Sequence, residues 1–305
     1  MFFKKMFLTV VSFVFSGAAL ATEFSNNTNK MVLLEKQSSP NVTCQSLECQ
    51  ERLKKLQGTV VLDSHSTITL RGTVTNKTVS ETISKILTSK EDTVTLFLSS
   101  PGGSVIDGAQ LISTIRSVNK KVVCVTDMSA SMSFVILQAC DERVVLESSI
   151  LMQHVASFGV SYQQEPNAVS FVKFIQNITS AMDAAQAKRM EMPVSKFKQL
   201  IRDDYWLFGS QAVQAKAADR VAQVVCSPEL VSKEEVEEVS VWGATIVVKW
   251  SACPLISSPR SVSVKRYTSL SPLQEEELSK KLKSVIDYKA DIYRMFESRQ
   301  QKSTK

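Results

Sequence analysis

Through the middle of the chain, short apolar runs alternate with segments of helical period. Partial alternation over residues 60–74 predicts strands. Residues 78–88 predict an amphipathic helix with Val79, Ile83, Ile86 and Leu87 on one side. A strand at 94–98, a helix at 105–118, a strand at 122–126, a helix at 133–139 and strands at 143–146 and 150–153 follow in order. Alternating strands and helices of these lengths argue for a parallel α/β sheet. Residues 22–57 are polar and rich in Asn, Ser and Thr, the pattern of a flexible arm with a short helix near 47–56. Residues 239–252 predict a hairpin or a pair of short strands. Residues 274–298 predict an amphipathic helix, with Leu278, Leu282, Val285, Ile286, Ile292 and Phe296 at helical spacing. Packing on a core or on another subunit is the simpler account of that stripe, and a face for substrate or membrane is the other.

The first residues carry an address and not a fold. Lys4 and Lys5 form a basic region, residues 6–15 an apolar core, and Ala19-Leu20-Ala21 a small-residue cleavage site. The expected reading is a signal peptide over 1–21 that sends the chain out of the cytoplasm, periplasmic or secreted. The apolar core is short for a membrane span, which takes ~20 residues. The 284 residues that would remain are enough for a core of ordinary size. A net charge of +6, with Lys and Arg interspersed among Glu, gives no nucleic-acid footprint. Six cysteines, Cys44, Cys49, Cys124, Cys140, Cys226 and Cys253, permit disulfides in an exported chain. Cys44–Cys49 reads as a local bridge and Cys226–Cys253 as a tie for the C-terminal region. Cys124 and Cys140 fit buried thiols as well as a pair. No cysteine spacing matches a zinc site, and nothing in the chain calls for a metal or cofactor.

Candidate chemistry lies where three apolar runs each end in a turn. The first ends in Ser99-Ser100-Pro101-Gly102-Gly103, whose adjacent glycines free the backbone to present N–H groups. The second leads into Met128-Ser129-Ala130-Ser131-Met132-Ser133, a strand-to-helix turn with serine at the helix start. The third ends at His154. A nucleophile, a base and a donor-rich glycine turn are the parts of an acyl-transfer site. Ser129 and Ser133 share the turn with Ser131 and suit packing. His65, the second of the two histidines, sits in a strand-like segment without a motif and reads as an exposed strand or turn residue. Gln153, Ser100 and Asp107 read as structural.

The order SSPGG, then ASM, then the histidine resembles the Clp protease proteolytic subunit, a family within the crotonase-like fold. The resemblance runs from about residue 68 to 225 and continues through KFKQLIRDDYWLFGSQAVQAKAAD at 196–219. It implies a triad of Ser131, His154 and Asp204, the last two positions before Trp206, with Asp203 as its rival. It also implies an oxyanion hole from the N–H groups of Gly103 and Met132. The implied fold class is α/β, a spiral of βαβ units, with a handle insertion and a C-terminal strand-plus-helix extension. On that pattern residues 58–226 form the protease domain and 227–305 the extension. The handle would take a strand at 157–164 and a long helix at 167–190 bearing Phe171, Phe174 and Ile175, and in the family it joins subunits into rings. The chain departs from the family after the ASM motif, where Ser133-Phe134 stand, after the histidine, where Val155-Ala156 stand, and in the order of Arg202-Asp203.

The implied activity is that of an exported serine endopeptidase acting on polypeptides as a homo-oligomer. Outside the cytoplasm it would meet neither ATP nor an ATP-driven unfoldase. The competing readings are a catalytically silent peptide-binding or scaffold relative, a crotonase-like enzyme acting on a thioester, and a serine–lysine peptidase. Ser131 with His154 argues against the thioester enzyme, and no lysine stands in a recognisable motif for the dyad.

Overall fold

A computed structural model of the protein describes residues 58–157, 165–241, 244–266 and 271–286. The signal peptide, the arm, Cys44 with Cys49, most of the expected handle strand and the end of the last helix lie outside the described residues.

The chain opens with β1 (Thr59–Leu62) and β2 (Thr67–Arg71), followed by α1 (Asn76–Thr88). Thr75 caps α1, accepting from the Thr78 N–H while the Thr78 hydroxyl takes the Thr75 N–H, a reciprocal box that fixes where the helix starts. Next come β3 (Thr93–Ser100), α2 (Val105–Ser117), β4 (Lys121–Ala130), α3 (Met132–Leu137) and β5 (Glu142–Gln153). The order β2-β3-β4-β5 is parallel throughout. The two strands expected at 143–146 and 150–153 are one element. A register irregularity opposite Thr126 and Met128 bends it, and Ser149 spans the break by donating to the Thr126 carbonyl and accepting from the Leu146 N–H.

After the long helix α4 (Glu165–Arg189) and α5 (Val194–Arg202), β6 (Tyr205–Phe208) returns antiparallel along the upper half of β5. Then α6 (Ser210–Gln214) leads to β7 (Arg220–Val221), parallel to its lower half. The sheet is thus parallel with one antiparallel strand at its edge. Its central strands are buried on both faces, as parallel sheets covered on both sides are. Leu96, Leu98, Cys124 and Val145 point into a core shared with the helices. Phe97, Val123, Val125 and Val144 point the other way, into a second core with Leu62, Ala222 and Leu230. That second layer contains a separate parallel pair, β1 with β8 (Gln223–Cys226).

Arg143 on β5 is 3% exposed and gathers distant loops. It donates to Asp219 through both Nε and Nη2, to Gln138 Oε1 and to the Lys216 carbonyl. Burial alone would raise the Asp219 carboxyl, but the bonds from Arg143, with the charge of Arg189, hold it below its ordinary value.

A short helix, α7 (Pro228–Ser232), leads into a meander of β9 (Glu234–Val241), β10 (Ala244–Ser251) and β11 (Ser261–Arg266), followed by α8 (Pro272–Ile286). The expected hairpin is therefore present and gains a third strand. Leu278 of α8 packs on Ala244, Ile246, Val248 and Trp250, so the apolar stripe of the last helix is covered within the chain at this point. Cys226–Cys253 is a disulfide and ties β8 to the loop beyond β10. Arg71 on β2 adds a second tie, donating to the carbonyls of Pro254 and Ile256 and lying 5.0 Å over the Trp250 ring. Cys124–Cys140 is also a disulfide, which resolves the open alternative for that pair.

Candidate functional site

β4 ends at Ala130, α3 begins at Met132, and Ser131 makes the whole turn between them. Its backbone sits at φ 54 and ψ −121, a strained conformation for a residue with a side chain, worth about 1–3 kcal/mol. Three features hold it there. The Ser131 N–H donates to the Met152 carbonyl at 2.8 Å, continuing the parallel ladder with β5. The hydroxyls of Ser129 and Ser133, both fully buried, bond each other at 2.7 Å across the turn. The Met132 side chain lies directly on Gly108 of α2, where any β-carbon would collide with it. Ser129 and Ser133 thus have the packing role expected of them, and Ser131 alone of the three is turned toward a histidine.

The glycine turn after β3 closes over this elbow. Gly102 has φ +95, and a β-carbon there would lie 2.7 Å from the Ala130 carbonyl oxygen and 2.8 Å from the Met132 nitrogen. Gly103 pairs with Val74 in an isolated bridge, and a β-carbon would strike the Val74 carbonyl. Both positions exclude side chains because backbone passes against backbone. This contact sets the 102–103 peptide beside the amide of Met132. As the first residue of α3, Met132 has an N–H with no acceptor inside its helix. Two amides beside a serine can receive an oxygen on which negative charge develops.

β5 delivers His154 to the same place. Its Nε2 lies 2.7 Å from Ser131 Oγ, and the residue is 8% exposed. The His154 N–H donates to Gln153 Oε1, Gln153 Nε2 donates to Gln186 Oε1, and Gln186 Nε2 donates to the Met182 carbonyl. Gln153, read as structural from sequence, is the start of a buried amide relay that fixes the histidine backbone to α4. Gln186 was not legible, since a glutamine in a long helix carries no signal of its partner.

The antiparallel register of β5 with β6 pairs Gln153 with Tyr205. His154 immediately follows β5, and Asp204 immediately precedes β6. Asp204 has φ 60 and is half-buried, whereas Asp203 is exposed and pairs with Arg202 at 3.2 Å. The chain reversal between α5 and β6 thus puts the two neighbouring aspartates in different surroundings. His65 lies exposed in the turn between β1 and β2, its N–H bonded by Asp63. Among the described residues no cluster of His, Cys, Asp or Glu could hold a metal ion.

A cavity opens beside the serine. One wall is Ser131, Met132 and His154, and the other is the face of α4 carrying Thr179, Met182, Asp183 and Gln186. Burial raises the Asp183 carboxyl above its ordinary value, with Lys198 pulling partly against that shift.

Comparison with known proteins adds two findings. The sequence model of the Clp protease family matches residues 50–225, more than half of the chain. The chain is 30% identical over 129 residues to a protein from Prochlorococcus marinus (strain MIT 9312) named ATP-dependent Clp protease proteolytic subunit 2. That match covers 41% of the chain and 64% of the relative, so it spans less than two thirds of the relative's length.

Proposed function

Because the chain belongs to the Clp protease family and has its α/β fold, we propose that it is an exported serine endopeptidase acting on unfolded polypeptides without ATP. The observation that carries the reading is the 2.7 Å contact between His154 Nε2 and Ser131 Oγ at a strained strand-to-helix turn. His154 accepts the Ser131 proton as Oγ attacks the substrate carbonyl carbon. Asp204 orients the imidazole and favours its charged form. The N–H groups of Gly103 and Met132 receive the tetrahedral oxyanion, and loss of one such donor costs about 3–4 kcal/mol in the barrier. His154 then gives its proton to the leaving amine, which departs and leaves an acyl-serine. Water activated by the same imidazole attacks the acyl carbon, releases the acid and restores the serine.

Export is supported by the pattern of residues 1–21 and by two disulfides, Cys124–Cys140 and Cys226–Cys253. The Prochlorococcus relative carries ATP dependence in its name; the proposal departs from it there, because an exported chain is separated from ATP. A homo-oligomer is supported by α4, which leaves Val169, Phe171 and Phe174 exposed along its outer side.

The test is labelling of the mature protein by a fluorophosphonate, beside Ser131→Ala and His154→Ala. Labelling of the wild type that disappears in both variants is the expected outcome. A folded wild type that takes no label would overturn the enzyme reading in favour of a peptide-binding scaffold.

A further inference from the structure

We infer that β11 is a self-pairing edge. It joins β11 of a second copy of this chain, antiparallel across a two-fold axis at Ser263, and makes one continuous sheet of the two meanders. The contact is separate from the exposed side of α4 and does not depend on the proteolytic reading.

Among the described residues, β10 lies between β9 and β11, and β11 has no second strand beside it. Ser261, Val262, Ser263, Val264 and Lys265 are all exposed. The two outer strands differ in kind. β9 carries Glu234, Glu235, Glu237 and Glu238, and such a run of like charge keeps an edge from pairing with its own copy. β11 alternates serine and valine as far as Lys265, with no proline, no register shift and no earlier charge. None of the devices that close an edge stands over that stretch.

The register follows from the hydrogen bonding. The Ala252 N–H donates to the Lys233 carbonyl, and the Arg260 N–H donates to the Lys249 carbonyl. Hydrogen-bonded pairs recur at every second residue of an antiparallel ladder. The even residues of β10 therefore bond β9 and the odd ones bond β11, which ties Ser261, Ser263 and Lys265 to Lys249, Val247 and Thr245. The N–H and C=O groups of Val262 and Val264 are left at the open edge. An axis at Ser263 sets Val262 opposite Val264 of the second copy and Val264 opposite its Val262. Each such pair exchanges two N–H···O bonds, and the pattern is self-complementary, as a two-fold contact has to be. With the axis at Val262 or Val264, the other valine would stand opposite Arg260 or Arg266 instead. Lys265 falls opposite the uncharged Ser261. Arg260, next in line, is turned back on its own chain, donating to the Val231 and Ser232 carbonyls and pairing with Glu234.

The side chains agree with this register. Val262 and Val264 share a face with Val248 and Ile246, on which Leu278 of α8 packs. They are 37% and 38% exposed, and pairing with a second copy carries this apolar row across the seam.

The experiment is oxidative cross-linking of the mature protein carrying Ser263→Cys. The two copies of residue 263 would stand about 4.5 Å apart between Cα atoms, within reach of a disulfide. Ser263→Cys should therefore cross-link two chains, and Ser261→Cys, which stands opposite Lys265, should not. Val264→Pro removes an N–H used only by the second copy, which an edge strand tolerates. Added to Ser263→Cys it should abolish the cross-link, and alone it should halve the native mass while the urea midpoint of dilute protein stays near wild type. Val264→Lys should act in the same way. No cross-link in folded Ser263→Cys, or equal cross-linking of Ser261→Cys, would overturn the inference. So would a monomer that binds extended polypeptides of unrelated sequence along this edge. A wild type that takes no fluorophosphonate while Ser263→Cys cross-links removes the enzyme reading and leaves this contact standing.

Discussion

At the scale of single residues, the site depends on positions where a β-carbon is forbidden. Gly102→Ala puts a methyl group between two stretches of backbone that already touch, at a φ that disfavours it. We expect kcat to fall about 100-fold or more, because the 102–103 peptide must retreat from the oxyanion position, with a loss of stability of about 1–3 kcal/mol. Urea unfolding and steady-state kinetics on one preparation check both. The two aspartates make a matched pair. Asp204→Asn should lower kcat by about 10³- to 10⁴-fold, since the imidazole loses its orienting anion, whereas Asp203→Asn, which removes only an exposed pair with Arg202, should stay within about threefold. A reversal of that order would transfer the role to Asp203.

At the scale of elements, the strand–turn–helix units around Ser131 and His154 were legible in the sequence, because apolar runs ending in small residues have few other uses. The partners that lock them were not. Gly108 carries no motif, and only the fold shows that it makes room for the Met132 side chain. The antiparallel return of β6 was hidden because Tyr205–Phe208 is too short for its period to reveal direction. Arg143 and Asp219 lie 76 residues apart and meet only once α3 and α6 are in place. The extension behaves as an attached element, joined by Cys226–Cys253 around a separation of 27 residues. Cys226→Ser with Cys253→Ser should cost about 3–4 kcal/mol by loop-closure entropy, seen as a lower urea midpoint. Labelling of Ser131 in the native state should persist, because the bond lies on the face of the sheet opposite the helices that pack around the serine. Loss of labelling without loss of stability would mean that the extension shapes the site.

At the scale of the whole molecule, two cores share one sheet, and each constrains the site differently. The helix-side core contains Met132, Phe134 and Leu151, so it holds the serine and histidine elements together. The opposite core contains Cys253 and Ala252 from the extension beside Phe97 and Val125 from the central strands. The domain boundary expected after residue 226 is thus crossed by apolar packing as well as by sulfur. Its legibility in sequence came from where the family resemblance stops, and packing takes no account of that stop.

The pairing of β1 with β8 also has a consequence in time. Thr59 lies against Gln223 and Leu62 against Cys226, in parallel register, so among the described residues β1 has no strand neighbour until β8 has been made. Closing so long a loop is slow relative to the local helix and hairpin steps, and it can only come late. A ribosome emitting this chain therefore releases β1 as an unsatisfied ribbon that waits for more than half of the protein to follow. Synthesis and final folding are thus separated in time, and through that interval the first-made strand of this pair waits for its partner.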